Sequence, residues 1–293
     1  MNFGSELRAL DCIGLPRFTC QQAKAIIDRV KKTGALVSDP IPGEGTGIVI
    51  GGGGRYLDWS YVLCRWLRHH LKCNLPIQVW HLGPKEMPGK ASELFKQLDC
   101  ETVDTFRIML KNPVREMDGW ILKSYAVRHC PWRHVLFLDA DCLPALQPEE
   151  IFNDQDVQKV GSVFFHDVGK HNTGFGYVDW SLIPLENEFE SGQFVLDKLK
   201  AWMGLQWTLW ASEHASECFY QTGHGDKFVW ECAMRSSESP HMIGGPSTWA
   251  GYGIEHQFKG RVAFRHAMAM KRREWPMFPE LLPMFEEWKT IKL

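Results

Sequence analysis

The chain has 293 residues, 44% of them hydrophobic, with 33 basic against 35 acidic side chains and a net charge of -2. That much apolar material supplies the core of one large α/β domain or two small ones and excludes a disordered chain, while the charge balance excludes a polyanion binder acting through bulk electrostatics. Nine scattered cysteines with no C-x-x-C pair exclude a zinc ribbon and a complete disulfide framework, so a reducing compartment is expected; no window approaches the roughly 20 apolar residues of a membrane span and the N-terminus lacks an apolar signal core, so a soluble cytoplasmic protein is expected.

In chain order, "TCQQAKAIIDRVKKTGALV" has a helical pattern and "SDPIPGEGTG" breaks it, so residues 1–45 read as a helical extension. "GIVIGGGGRYLDWSYVLCRWLRHHLKC" reads as a strand, a glycine loop (Gly51 to Gly54) and a helix in which Trp59, Val62, Leu63, Trp66 and Leu67 share one face. "LPIQVWHLG" predicts a strand, "KASELFKQL" a helix, "CETVDTF" a strand, and "MDGWILKSYAVRHC" a helix leading into "HVLFLDADCLPAL". Strands alternating with helices predict a mostly parallel sheet covered on both faces. Beyond residue 150 the pattern loosens: "GSVFFHD" is expected as a strand, "QFVLDKLKAWMGL" and "GDKFVWECAM" as helices, and "RVAFRHAMAM" as a late strand or turn.

The informative stretch is the end of "HVLFLDADC". An apolar run suited to a buried strand gives way to Asp139 and Asp141, and buried carboxylates are costly without a positive partner. Two aspartates one residue apart at a strand end can hold Mg²⁺ or Mn²⁺ and leave positions open for phosphate oxygens; a surface turn in which Asp141 caps the following segment is the plainer alternative. Ligands of parallel sheets bind beyond the carboxyl ends of the strands, where the glycine loop also falls. That loop is not G-x-G-x-x-G, and no acidic residue stands at the spacing of a dinucleotide fold.

Taken in order, "GIVIGGGGRYLDWSYVLCRWLR", "LPIQVWHLG", "ILKSYAVRHCPWRHVLFLDADCLPALQPEEIF", "FESGQFVLDK" and "GHGDKFVWECA" resemble the fungal α-1,3-mannosyltransferase-like family and, more distantly, the glycogenin and galactosyltransferase group of GT-A glycosyltransferases. The resemblance covers roughly residues 45 to 275. It implies a GT-A α/β fold, a UDP- or GDP-hexose donor, a D-x-D-bound Mn²⁺ or Mg²⁺, and retention at the anomeric carbon, with residues 46–293 as one catalytic domain, its donor half about 46–150 and its acceptor half about 151–293. By the same resemblance Asp139, Asp141 and His266 are metal ligands, and Lys271 or a neighbouring arginine meets the diphosphate. Gly51 and Gly52 let the nucleotide approach bare backbone, Arg55 and Tyr56 touch it, and Lys123 is the donor-side lysine, with a solvated helix charge as its alternative.

"ESGQ" (Glu190 to Gln193) has the shape of a helix start capped by Ser191, and "GDK" that of one capped by Asp226. The resemblance places Gln193 beside the reacting sugar carbon and Asp226 toward sugar or acceptor, where either group stabilises an oxocarbenium-like centre; Glu190 is the nucleophile of the alternative, a double displacement. The acceptor is a hydroxyl group, on a glycan or, as the lesser hypothesis drawn from the basic and aromatic residues between Lys259 and Trp275, on a hydroxymethylated base in DNA. The rival classes are a metal-dependent nuclease or phosphotransferase and a non-catalytic nucleotide-sugar or nucleic-acid binding module.

Overall fold

The computed structural model describes residues 43–170, 187–213, 225–268 and 278–291. The expected helix within residues 1–45 therefore lies outside the described residues, as does Lys271. Among the described residues the fold is mixed α/β. A seven-stranded sheet runs in the order β3-β2-β1-β4-β7-β6-β8, formed by β1 (Thr46–Gly51), β2 (Ile77–His81), β3 (Cys100–Asp104), β4 (His134–Asp139), β6 (Ser162–Lys170), β7 (Asn187–Asp197) and β8 (Met242–Ile243). The half comprising β3, β2, β1 and β4 is parallel, and β7 adds antiparallel to β4.

The parallel half forms where the sequence supplies strands apolar on both faces. Along β1 and β4 alternate residues enter opposite cores. Ile48, Ile50, Leu136 and Leu138 pack under α1 (Leu57–Arg65) with Val62 and Leu63. Val49, Val135 and Phe137 pack on the other side with Tyr125 of α4 (Ile121–His129). Two helices lie between these: α2 (Gly89–Gln97) and α3 (Thr105–Met109), the latter capped by Asp104, whose side chain accepts from the Phe106 amide.

A second, four-stranded antiparallel sheet has the order β5-β11-β10-β9: β5 (Cys142–Pro144), β9 (Ser247–Trp249), β10 (Ile254–Phe258) and β11 (Arg261–His266). The late segment expected as strand or turn is thus strand β11. Between β5 and β6 lie α5 (Pro148–Phe152) and α6 (Gln155–Val160).

One expectation is overturned. "ESGQ" is not a helix start but the middle of β7, and the helix expected from "QFVLDKLKAWMGL" begins only at Trp202, as α7 (Trp202–Glu213). Strand pairing overrides the local cap-like pattern: β7 is flanked by β4 and β6, and Phe194 stacks on Phe137 at 5.1 Å and on Phe164 at 5.3 Å between ring centres. The helix expected from "GDKFVWECAM" is α8 (Lys227–Ser236), and α9 (Leu282–Thr290) packs back on α1. No helix among the described residues is long and apolar enough to cross a membrane.

Candidate active site

The D-x-D motif is the junction between the two sheets: Asp139 ends β4 of the large sheet and Asp141 precedes β5 of the small one. Asp139 stands beside Gly51 in the β1–β4 register. Its carboxylate, with Asp141, Lys123, Gly51, Gly52, Arg55 and Tyr56, lines a cavity of about 570 Å³, a volume suited to a nucleotide-sized ligand.

The glycine loop is tied down at this cavity. Gly52 donates to Trp80 O at 3.0 Å and Gly54 to Glu86 O at 2.8 Å. A Cβ on Gly52 would lie 2.1 Å from Ser60 Oγ, and Gly53 holds a φ of +97°, so both the close approach and the backbone angle demand glycine. The Arg55 guanidinium lies 4.7 Å from the Tyr56 ring centre.

Lys123 is not a solvated helix charge. It is buried, and its ammonium donates to Asp139 Oδ2 at 2.9 Å, to Ser191 O and Oγ at 3.4 Å each, and to Asp226 Oδ1 at 3.4 Å. Burial alone lowers its pKa, but the Asp139 and Asp226 carboxylates outweigh that and hold it above the usual lysine value. Asp226 in turn makes no capping bond to α8; it accepts from Ser191 Oγ at 2.9 Å.

His266 forms the second centre. Only 3% exposed, it sets Nε2 3.5 Å from Asp141 Oδ1 and Nδ1 3.6 Å from Glu190 Oε2. Burial opposes a charged ring, yet Cys142, Glu190 and Asp141 together hold its pKa well above the ordinary histidine value. Glu190 is held below the usual carboxylate range: burial raises it, and His266 and Lys227 outweigh burial. Glu190 Oε1 accepts from the amides of Ser191 at 2.9 Å and Gly192 at 3.1 Å. Gln193 is wholly buried, its Oε1 accepting from Cys142 Sγ at 3.0 Å, and burial pushes the Cys142 thiol up to about 12.

The structure therefore gathers the predicted residues into two adjoining groups. Asp139, Lys123 and Asp226 form one; Asp141, His266 and Glu190 form the other, with Gln193 reaching it through Cys142. Sequence reasoning missed Ser191 as the link between Lys123 and Asp226, and Cys142, whose only signal was its position directly after the motif. It also missed Lys227, which ion-pairs with Asp167 and lies 3.7 Å from Glu188.

A divalent cation fits this donor set. Asp141, Cys142 and His266 offer ligand atoms within 4.8 Å of one another, and neither ring nitrogen of His266 makes a hydrogen bond despite complete burial of both atoms, a condition that buried polar atoms rarely tolerate. Asp139 lies outside this close set, engaged by Lys123.

The basic run after β10 does not present a free cationic face among its described members. Lys259 pairs with Asp154 and Asp156, Arg261 with Glu150, and Arg265 with Glu255 and Glu280, while Phe264 is fully buried.

Residues 45–188, just under half of the chain, match the family model described as "Mannosyltransferase putative". Among curated proteins, the chain is 25% identical over 159 residues to alpha-1,2-mannosyltransferase MNN21 of Candida albicans, covering 50% of this chain and 24% of that protein. It is 24% identical over 183 residues to alpha-1,2-mannosyltransferase MNN2 of Saccharomyces cerevisiae, covering 60% of this chain and 30% of that protein. The chain thus spans about a quarter to a third of the length of the relatives it matches. Both are named for an α-1,2 linkage, so the α-1,3 label of the sequence resemblance finds no support in them. Solved structures that align include the galactosyltransferase LgtC with donor and acceptor sugar analogues, at TM-score 0.49 and 12% identity over 84% of this chain and 99% of that one. Mouse xyloside xylosyltransferase 1 aligns at TM-score 0.44 and 14% identity over 68% and 85%.

Proposed function

We propose that the chain transfers mannose from a nucleoside-diphosphate donor to a hydroxyl of a glycan, with a divalent cation and with retention at the anomeric carbon. The observation that carries this reading is the convergence of the buried Lys123 with Asp139 and Asp226 and of His266 with Asp141, with Lys123, Asp139 and Asp141 lining one cavity. The mannose comes from the family match; the glycan acceptor is favoured over DNA because the described basic residues near β11 are already paired with carboxylates.

Asp141 and His266 would hold the cation, and when bound it supplies Lewis-acid stabilisation of charge on the departing diphosphate. The chain's own groups do the rest. The glycine loop offers bare backbone to the nucleotide, and Arg55 lies at the rim. Lys123 pairs with both Asp139 and Asp226 and holds them in register. The anomeric C–O bond breaks with its electron pair going to the diphosphate, and the Asp226 carboxylate stabilises the resulting positive centre electrostatically. Attack by the acceptor hydroxyl from the face of the leaving group passes the hydroxyl proton to a diphosphate oxygen and retains configuration. Asp226 is favoured over Glu190 as the carboxylate facing the sugar, because Glu190 is committed to the Ser191 and Gly192 amides and to His266.

The test is a calorimetric panel of UDP- and GDP-sugars on the full chain with and without Mn²⁺. Binding of a nucleotide-mannose that disappears with the metal, and that Asp141→Asn abolishes, is the expected result. Mn²⁺-dependent binding that survives Asp141→Asn overturns the metal assignment, and binding of no nucleotide sugar at all returns the site to the phosphoryl-transfer class.

A further inference from the structure

We infer that Cys142 is a ligand of the cation site, so that the ion is held by a mixed oxygen, nitrogen and sulfur set that selects borderline metals over Mg²⁺. This rests on the reading that Asp141 and His266 hold a divalent ion.

The geometry begins with strand pairing. Cys142 opens β5 and is the antiparallel partner of His266 in β11. Direct partners in an antiparallel pair project to the same face with Cβ atoms about 5 Å apart, which brings thiol and imidazole together. Asp141, the residue before, completes a group in which the thiol sulfur, an imidazole nitrogen and a carboxylate oxygen all lie within 4.8 Å of one another, the one such group found among the described residues.

The neighbouring strand is shaped around this pair. A Cβ on Gly192 would stand 2.8 Å from Cys142 Sγ and 2.8 Å from His266 Cε1, so β7 must present a bare Cα here for thiol and ring to occupy their positions. The supporting shell is present as well. Cys142 Sγ donates to Gln193 Oε1 at 3.0 Å, and Gln193 Nε2 is buried without a hydrogen-bond partner. When the ion binds, the S–H bond breaks, a sulfur–metal bond forms, and the proton leaves to solvent. Rotation of the carboxamide then turns an Nε2–H toward the thiolate, the kind of outer contact that orients a ligand.

A buried cysteine is ordinarily a small hydrophobe, and Cys64, Cys73 and Cys100, like Cys142, border the apolar core under α1, with Cys130 in the opposite one. Cys142 differs in facing an imidazole and a carboxylate whose geometry already suits a cation. Thiolate favours Zn²⁺, Co²⁺ and Cd²⁺ and contributes little to Mg²⁺, which demands hard oxygen ligands.

Cobalt and cadmium serve as probes. Titrating the full chain with Co²⁺ is expected to raise a thiolate-to-cobalt absorption band that Cys142→Ser eliminates, while calorimetry shows Co²⁺ still binding through Asp141 and His266 about 10-fold or more weakly. The ¹¹³Cd resonance of the unmodified chain is expected at a sulfur-ligated shift, a measurement that decides the matter without any variant should Cys142→Ser fail to fold. Co²⁺ binding with no sulfur band, a band that persists in Cys142→Ser, or a ¹¹³Cd shift typical of oxygen and nitrogen ligands alone overturns the thiolate and leaves the Asp141–His266 site standing. Absence of any Co²⁺, Cd²⁺ or Mn²⁺ binding by calorimetry overturns both.

Discussion

At Lys123, oxygens from three separate stretches of chain converge on one ammonium: Asp139 Oδ2, Ser191 O and Oγ, and Asp226 Oδ1. The two carboxylates are tolerable at this depth because the lysine neutralises them, and removing one partner of such a buried group leaves uncompensated charge at a cost of about 3–5 kcal/mol. Lys123→Met is therefore expected to lower stability by that order and transfer activity by about 100-fold or more, since orientation and electrostatics are lost together; thermal unfolding and steady-state transfer assays measure the two. Asp139 and Asp141 were legible from sequence because a polar pair at the end of an apolar strand is a local signal. The partners of Lys123 were not, because Ser191 and Asp226 lie 68 and 103 positions away and meet it only once β7 and α8 are in register.

At the level of elements, β7 decides whether the second group assembles. Its residues Glu190, Gly192 and Gln193 reach His266 and Cys142 because β7 runs antiparallel to β4 with Leu138 opposite Gln193. A helix at this point would turn the same side chains around an axis and scatter them. The register is anchored by Phe194, fully buried against Phe137, Phe164 and Trp230. Phe194→Ala is expected to cost about 3–5 kcal/mol in denaturant unfolding, and to weaken metal-dependent donor binding through the register of β7. The parallel strands β1 and β4 were readable from their unbroken apolar runs, and β2 and β3 from short branched and aromatic segments alternating with helices. β7 was not, because acid, small residue, glycine and amide in succession satisfy the local rules of a helix start, and only the aromatic layer across three strands outweighs them.

For the whole molecule, acid sensitivity follows from histidines folded in the neutral state. His129, packed on the Tyr125 ring, has its pKa pushed down to about 3, by burial first and then by Arg128 and Lys198. The unfolded chain takes up this proton near pH 6.5 and the folded one only near 3, so between those values the unfolded state holds more protons and stability falls as pH falls, by up to about 1.4 kcal/mol per pH unit for this one group. His129→Phe is expected to flatten the acid limb of the stability curve between pH 6.5 and 3; an unchanged slope in denaturant titrations across that range would remove His129 as its cause.

The placement of the D-x-D at the junction of the two sheets has a mechanical consequence. Asp139 belongs to the large sheet, whereas Asp141 directly precedes the small one, to which Cys142 and His266 belong, and one residue, Ala140, separates the two aspartates along the chain. If Asp141, Cys142 and His266 held an ion whose diphosphate partner lay in the cavity beside the glycine loop, ligand occupancy would tie the small sheet to the large one and suppress local opening of the small sheet. Amide exchange in β10 and β11 should then slow on addition of Mn²⁺ and nucleotide together while β2 and β3 keep their rates.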